Sequence, residues 1–341
     1  MKRKLFVLAM VVCLIVSAGL VGCKNKKGEA PEETIPTLAE QNAEMRDVSI
    51  YYKLGDDYLV PVARVLPWDT ATAQAALDML TDNAQNIADA NTLGVMTTLP
   101  ENMDVSVAVA GGAAKVDISG GQCPDAASEK LMVDSIASTL LGMSNIEVVQ
   151  FTVGKQHVAM LQNGTAIGNP ITDVDLNVET ASQSVMASGA NYNKLSLYYA
   201  DAAGGLLVPV TRTIQSDLTL EGALVELKKG PQDSALRGVL PEACNILSAK
   251  LDGDTAMVEL SAGFFADQSG PEAKLAAKAI TWTCMQFDDV LDVVIQVDGQ
   301  PLSEEVMGTA LPTSLNSAQE RFTSKQFLDV EQLPEATTVV K

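Results

Sequence analysis

Apolar and polar residues alternate in short stretches along the chain, which is the pattern of half-buried β-strands. Alternation at Ile50, Tyr52 and Leu54 predicts a first strand, and residues 58–66 predict its hairpin partner. Because proline cannot donate a hydrogen bond to a sheet, Pro61 places that partner at a sheet edge or at a bulge. Further strands are predicted over residues 105–109, 113–118 and 149–153.

Between these strands the apolar residues recur at helical spacing. Asp69 and Thr70 offer an N-cap for a helix over about residues 71–83. A second helix is predicted after residue 118, with one apolar face made of Val133, Ile136, Ala137, Leu140 and Leu141. The order strand, strand, helix, strand, strand, helix, strand predicts a two-layer α/β sandwich. In it, two helices cover one face of a mixed or antiparallel sheet.

The whole pattern occurs twice. A Leu-Val-Pro-Val-x-Arg motif ends at Arg64 and again at Arg212. Leu-Pro-Glu and Val-[Asp/Glu]-[Ile/Leu]-Ser motifs also recur, and the offset between copies stays between 141 and 148 residues. A period of this length is typical of a duplicated domain and is too long for a solenoid repeat. The predicted fold is therefore α+β, with two tandem two-layer domains.

The second copy carries the same local signals as the first. Pro209 stands in the edge strand, and residues 217–219 offer an N-cap. Asp252, Gly253 and Asp254 predict a hairpin turn.

The N-terminal residues have the composition of a secretion signal. Three basic residues come first, residues 5–16 are apolar, and small residues follow. The apolar run is too short to span a membrane comfortably. Leu20-Val21-Gly22-Cys23 closely resembles the lipobox of bacterial lipoproteins. That resemblance implies cleavage before Cys23 and lipid, such as palmitate, on this cysteine, which would hold the protein at the extracytoplasmic face of the cell membrane. An ordinary signal peptide and an uncleaved anchor are the alternatives.

The predicted organisation follows from these patterns. It consists of a lipoprotein signal peptide (1–22), a flexible tether (23–46), a first domain (47–170), a linker (171–193), a second domain (194–312) and a C-terminal tail (313–341).

Charge excludes one class of partner. Cleavage would remove three of the 23 basic residues and none of the 43 acidic ones, which leaves a net charge of −23. Such a surface repels nucleic acid and anionic headgroups, so we expect no nucleic-acid partner. Aromatic residues make up only 4% of the chain, which disfavours stacking on sugars or bases.

The residues that usually carry catalysis or metal binding are scarce. His157 is the single histidine, and no nucleophile motif surrounds it. Cys123, Cys244 and Cys284 are an odd set without Cys-x-x-Cys spacing, so no zinc site is predicted and at most one internal disulfide. The acidic pairs at residues 56–57 and 252–254 fit hairpin turns better than calcium loops. We therefore predict no catalytic residue, no metal and no cofactor.

Arg64 and Arg212 stand out among the polar residues because the duplication keeps them at equivalent positions. One hypothesis is a structural charge pair or hydrogen bond that fixes the hairpin to the sheet. The other is a carboxylate-binding site that contacts an acidic partner or peptidoglycan.

Together the repeated Tyr-Tyr, Leu-Val-Pro-Val-x-Arg, Leu-Pro-Glu and Val-[Asp/Glu]-[Ile/Leu]-Ser motifs resemble GerM-type domains, also called GerMN or sporulation and spore germination domains. The resemblance covers residues 47–170 and 194–312. It implies a role in sporulation or germination at the envelope of a spore-forming bacterium, and it implies no enzymatic activity. We expect a protein-binding or assembly module with envelope or sporulation-complex proteins as partners. The alternative is a peptidoglycan-binding or cell-wall-modifying accessory protein.

Overall fold

The computed structural model describes residues 44–179, 192–215 and 217–302. The predictions for the signal peptide, for most of the tether and for the C-terminal tail lie outside these residues. None of the helices in the described ranges combines the length and the hydropathy that a membrane-spanning segment needs.

Each repeat contains the predicted elements in the predicted order. The first repeat consists of β1 (Met45–Leu54), β2 (Tyr58–Pro67), α1 (Thr72–Asp78), α2 (Ala84–Thr92), β3 (Met103–Ala110), β4 (Ala113–Gly120), α3 (Ala126–Leu141) and β5 (Val148–Val153). The second consists of β6 (Asn193–Asp201), β7 (Leu207–Ile214), α4 (Leu220–Lys228), β8 (Leu236–Arg237), β9 (Ile246–Asp252), β10 (Thr255–Leu260), a 3₁₀ turn (Ala262–Phe265), α5 (Gly270–Met285), β11 (Asp292–Val297) and β12 (Gln300–Pro301).

The strands of each repeat form two small sheets. One is built on an antiparallel hairpin, β1–β2 in the first repeat and β6–β7 with β8 in the second. The other is mixed, with the antiparallel pair β3–β4 and the parallel pair β4–β5, and its counterpart has the order β12-β11-β10-β9. The predicted α+β class and the tandem duplication are confirmed. Both β2 and β7 are edge strands, as Pro61 and Pro209 require.

Small aliphatic side chains fill the core of each repeat. The predicted apolar face of α3 is buried, apart from Leu141, which is half-buried. In the second repeat Trp282 on α5 is buried and packs on Tyr198 of β6, with ring centroids 5.1 Å apart. Helix α5 therefore packs on one face of the β6–β7 hairpin. The edge strands of the hairpin lie at the side of the repeat.

The helix predicted over residues 71–83 is shorter in the structure. It begins at Thr72 after an N-cap, Ala71, that makes no side-chain cap, and it ends at Asp78. The chain leaves the helix because the Leu80 carbonyl accepts a hydrogen bond from the Leu99 amide, 2.9 Å away, instead of continuing the helical ladder. In the second repeat Thr219 is the N-cap, and its hydroxyl accepts from the Gly222 amide at 3.0 Å. There the N-cap prediction is confirmed.

A second helix, α2, occupies the first repeat where the second repeat continues directly into the turn after α4. The side chain of Asn83 caps it by accepting from the amides of Gln85 and Asn86. Only Ala90 of α2 is buried, and the helix is nine residues long, so it contributes little to the core. The sequence pattern did not indicate it for that reason.

A close backbone approach explains one further feature that both copies share. Two residues after the serine of the Val-[Asp/Glu]-[Ile/Leu]-Ser motif, each repeat has a glycine, Gly121 or Gly263. A Cβ at Gly121 would lie 2.7 Å from the Cβ of Met103, and one at Gly263 would lie 2.0 Å from the carbonyl oxygen of Ala243. In each repeat only glycine lets this segment pack against the turn that the Leu-Pro-Glu motif forms.

Replacing Gly263 with alanine should lower the free energy of unfolding by about 2 kcal/mol, since the added methyl group meets backbone that cannot rotate away. Gly205→Ala is the matched control, because no atom lies within 4 Å of the position that its methyl group would take, and its φ is not in the left-handed region. Chemical denaturation of the two variants measures the difference. Equal stabilities would contradict the role given to Gly263.

Candidate functional site

Arg212 lies on β7 with its guanidinium buried, and its side chain is only 7% exposed. Its Nε and Nη2 donate to the two carboxylate oxygens of Glu179, at 2.6 and 3.0 Å. This is the bidentate geometry in which an arginine–carboxylate pair is strongest. Burial, the largest single effect, would lower the pKa of Arg212, but the hydrogen bonds to Glu179 and Glu226 and the charges of Tyr199 and Glu179 together outweigh it, and the pKa is raised.

The same guanidinium also closes the end of α4. Its Nη1 donates to the Glu226 carbonyl at 2.9 Å, and its Nη2 donates to the Gly230 carbonyl at 2.7 Å. Carbonyls in the last turn of a helix have no partner within the helix, and a cation there also meets the negative end of the helix dipole. Arg212 therefore links the edge of the hairpin, the end of α4 and Glu179.

Glu179 reaches Arg212 because the segment before it pairs with the edge of β7. The Thr211 amide donates to the Leu176 carbonyl at 2.9 Å, and the Glu179 amide donates to the Thr211 carbonyl at 3.0 Å. The Glu179 carboxylate also accepts from the Gln232 amide at 2.8 Å. Residues 176–179 thus lie along the sheet edge of the second repeat, where a turn at residues 176–177 is held by two backbone hydrogen bonds to Thr211.

Asn177, in the middle of this segment, connects the two repeats. Its Oδ1 accepts from the Leu59 amide, and its Nδ2 donates to the carbonyls of Leu59 and Pro209, all within 2.8 Å. Its φ of +48° lies in the left-handed region, which asparagine tolerates better than most residues. One side chain thereby holds the edge of β2 beside the edge of β7.

Apolar burial fixes the same segment from the other side. Val174 and Leu176 are buried in a cluster with Tyr51, Leu59 and Ala137 of the first repeat. Residues 174–179, which belong to the predicted polar linker, are therefore packed against the first repeat and bonded to the second. We call residues 174–179 the junction segment.

Arg64 occupies the equivalent position on β2 but has different surroundings. It is half-buried, its guanidinium lies 5.6 Å from the centre of the Tyr52 ring, and its Nη1 makes a 3.4 Å hydrogen bond to the carbonyl of Ala63. Within the described part of the chain it forms no ion pair with a carboxylate. Burial raises the pKa of Tyr52, and the nearby Arg64 opposes that shift.

The remaining candidates lie apart from one another. His157 is exposed after β5, and Cys123, Cys244 and Cys284 are buried free thiols. Burial raises the pKa of the Cys123 thiol to about 11 and that of Cys284 to about 12, so both are protonated and unreactive at neutral pH. Across residues 44–179, 192–215 and 217–302, no group of His, Cys, Asp and Glu is arranged to hold a metal ion. The predicted lipidation site, Cys23, lies outside the described residues.

Sequence reasoning found the two arginines but missed Glu179 and Asn177. A weak signal was present, because Val174, Leu176 and Val178 alternate with polar residues in the manner of a strand. Nothing local to Glu179 shows which of the two arginines it meets, since Arg212 stands 33 residues further along the chain.

The fold and this junction define a class of protein. It is a tandem-duplicated α+β protein whose repeats are joined through a buried arginine–glutamate pair. A family model described as sporulation and spore germination (Germane) matches residues 49–158 and 196–303. The chain belongs to this family, and the resemblance that its motifs indicate is confirmed. Family membership supports a role in sporulation or spore germination.

A solved structure of two tandem domains shows the same fold. The tandem GerMN domains of the sporulation protein GerM from Bacillus subtilis match with a TM-score of 0.62 and 22% identity, over 79% of this chain and 98% of that one. The first GerMN domain of the same Bacillus subtilis protein matches with a TM-score of 0.31 and 25% identity, over 36% of this chain and 96% of that one. No curated protein matches the chain.

Proposed function

We propose that the chain is a lipid-anchored, non-enzymatic envelope protein that acts in sporulation or germination as a protein-binding or assembly module. Family membership supports the process, and the Leu20-Val21-Gly22-Cys23 sequence supports the anchor. Lipid on Cys23 would hold the two repeats at the extracytoplasmic face of the cell membrane.

The proposed binding role rests on a difference between Arg64 and Arg212, which occupy equivalent positions in the two repeats. Arg212 has its carboxylate, Glu179, within the chain, whereas Arg64 has none among the described residues. A half-buried cation that meets no carboxylate among the described residues, in a strongly acidic protein, favours an acidic partner. We infer that Arg64 is a partner-contact residue and that Arg212 is structural.

The non-enzymatic assignment is also a proposal. It is supported by the single histidine, which is exposed, and by the raised pKa values of Cys123 and Cys284, which leave no thiolate nucleophile there at neutral pH.

Co-purification from sporulating cells tests this function. The tagged, lipid-anchored chain should isolate from the membrane fraction with the same envelope protein in repeated preparations. The Arg64→Glu variant should recover far less of that protein, because it reverses the charge that meets the carboxylate. The exposed Lys115 is the matched control, and Lys115→Glu should leave the recovery unchanged. Undiminished recovery with Arg64→Glu would contradict the assignment.

Peptidoglycan is the alternative ligand, and the surroundings of Arg64 are compatible with it. Arg64 lies over the Tyr52 ring, and such a pair can bind a carboxylate of a wall peptide as well as one of a protein. Sedimentation with purified peptidoglycan distinguishes the two ligands. Arg64-dependent sedimentation at low salt would replace the protein partner with the cell wall, whereas a chain that stays in the supernatant would remove the alternative.

A further inference from the structure

A cleft of about 540 Å³ opens in the second repeat, beside the turn that the Leu-Pro-Glu motif forms. Its lining comes from β8 and this turn, and from residues 266–268 and the start of α5. Leu240 and Leu275, both half-buried, give the lining an apolar part. A cleft of this size can hold a ligand as large as a short peptide.

Two backbone amides in this lining differ from their counterparts in the first repeat. There, the amides of Thr98 and Leu99 both donate to the Leu80 carbonyl, at 3.1 and 2.9 Å. The Leu-Pro-Glu motif matches these two residues to Val239 and Leu240, which line the cleft. Neither of the two amides in the second repeat donates to an acceptor in the part of the chain that the structure describes.

The acceptor is lost because α4 extends further than α1. The Leu227 carbonyl, which matches that of Leu80, accepts from the Gly230 amide at 3.1 Å, in the turn after α4. Val239 is only 8% exposed, and the amides of buried residues nearly always have a hydrogen-bond partner. Since Val239 lines the cleft, a ligand in the cleft can supply that acceptor.

Arg237 adds a guanidinium to the same lining, two residues before Val239. The guanidinium packs on Gly204, where a Cβ would collide with it. Hydrogen bonds from Ser269 lower the pKa of Glu272, and the nearby charge of Arg237 adds to that shift. Within the described ranges, the Arg237 side chain donates no hydrogen bond and forms no ion pair. A guanidinium and two amides without acceptors favour a carboxylate group on the ligand.

Groups of the opposite character complete the lining. Glu242 and Asp267 are exposed, and neither forms an ion pair with a residue that the structure describes. The Oε1 of Gln268 is buried and accepts no hydrogen bond from such a residue. The two carboxylates repel a ligand that is only anionic, such as a phosphate. Together with the Gln268 oxygen, they favour a ligand that also carries an ammonium group.

We propose that this cleft binds a short zwitterionic peptide. The carboxylate of the peptide accepts from the Arg237 guanidinium and from the amides of Val239 and Leu240. Its ammonium group lies beside Glu242 and Asp267, and its apolar side chains pack on the leucines of the lining. The site goes beyond the proposed function, because it uses none of the groups around Arg64. Free peptides and the stem peptides of peptidoglycan both carry these charged groups.

Trialanine tests the site, because it has one carboxylate, one ammonium group and small apolar side chains. Calorimetric titration into the mature chain made without lipid should show saturable binding. We expect binding to weaken about fivefold or more when the carboxylate of trialanine is amidated, and again when its amino group is acetylated. Equal affinities for trialanine and its two blocked forms, or no binding of trialanine, would overturn the proposal.

A substitution taken from the first repeat tests the role of Arg237. Met96 stands at the matched position, paired with Lys53 as Arg237 is paired with Ala200. Arg237→Met should weaken the binding of trialanine about fivefold or more and leave the binding of trialanine amide unchanged. The exposed Lys250 lies outside the cleft, so Lys250→Met should bind as the wild type does. Equal affinities of wild type and Arg237→Met for trialanine would contradict the role given to the guanidinium.

Two further measurements locate the ligand and its source. The NMR resonances of the Val239 and Leu240 amides should shift as trialanine is added, and unshifted resonances would overturn the site. Displacement of trialanine by soluble muropeptides would assign the cleft to the cell wall, whereas retention of trialanine would assign it to free peptides. Arg64→Glu should bind trialanine as the wild type does, so failure of this site and failure of the proposed function are measured separately.

Discussion

Replacing Glu179 with alanine is expected to lower the free energy of unfolding by about 3 kcal/mol. The change leaves the guanidinium of Arg212 buried without its bidentate partner, and breaking a buried ion pair from one side is costly for that reason. The remaining bonds of Arg212 to the carbonyls of Glu226 and Gly230, and its ion pair with the Glu226 carboxylate at 3.3 Å, keep the loss at the lower end of the usual range. Urea denaturation measures the loss.

Two controls separate this buried pair from charge effects in general. Asp175, four residues before Glu179, pairs with Lys194 at the surface, so Asp175→Ala should cost no more than about 1 kcal/mol. Combining Glu179→Leu with Arg212→Met should recover much of the loss, since no unpaired charge is then buried. If Glu179→Ala is as stable as Asp175→Ala, then the junction does not depend on this pair.

Replacing Cys23 with serine is expected to move the protein almost completely from the membrane fraction to the soluble fraction. The sulfur of Cys23 is the predicted point of lipid attachment, and each buried methylene of an acyl chain contributes about 0.8 kcal/mol. Serine has an oxygen in place of the sulfur and cannot form the thioether, so the lipid anchor is lost. Ultracentrifugation and immunoblotting of the two fractions measure the shift.

Cys13 provides the matched control for this change. It lies within the predicted signal peptide, so Cys13→Ser should leave the mature protein and its membrane attachment unchanged. Retention of Cys23→Ser in the membrane would show that residues 1–22 remain as an uncleaved anchor.

Much of the fold follows from local sequence. Alternation predicts the hairpin strands, Pro61 and Pro209 assign two of them to sheet edges, and Thr219 begins α4. Each of these features depends on a residue and its near neighbours, so the sequence contains the necessary information. The repeat adds weight because two independent copies carry the same pattern.

The features that sequence reasoning missed depend on distant contacts. The end of α1 is set by a hydrogen bond between Leu80 and Leu99, and α2 is a short helix that buries only Ala90. The candidate site differs between repeats for the same reason. Arg64 and Arg212 are equivalent in sequence, but only Arg212 meets Glu179, whose position depends on the packing of Val174 and Leu176 against the first repeat.

The count of heat-resistant and germinating spores tests most directly whether the chain works in sporulation or germination from a membrane anchor. In the native host, the gene would be replaced by the Cys23→Ser form, with the Cys13→Ser form as the control and protein amounts matched by immunoblot. We predict that Cys23→Ser reduces the number of spores that form or germinate nearly as far as deletion of the gene does, while Cys13→Ser matches the wild type. Wild-type spore numbers from the deletion strain, or from the unanchored Cys23→Ser protein, would contradict this prediction.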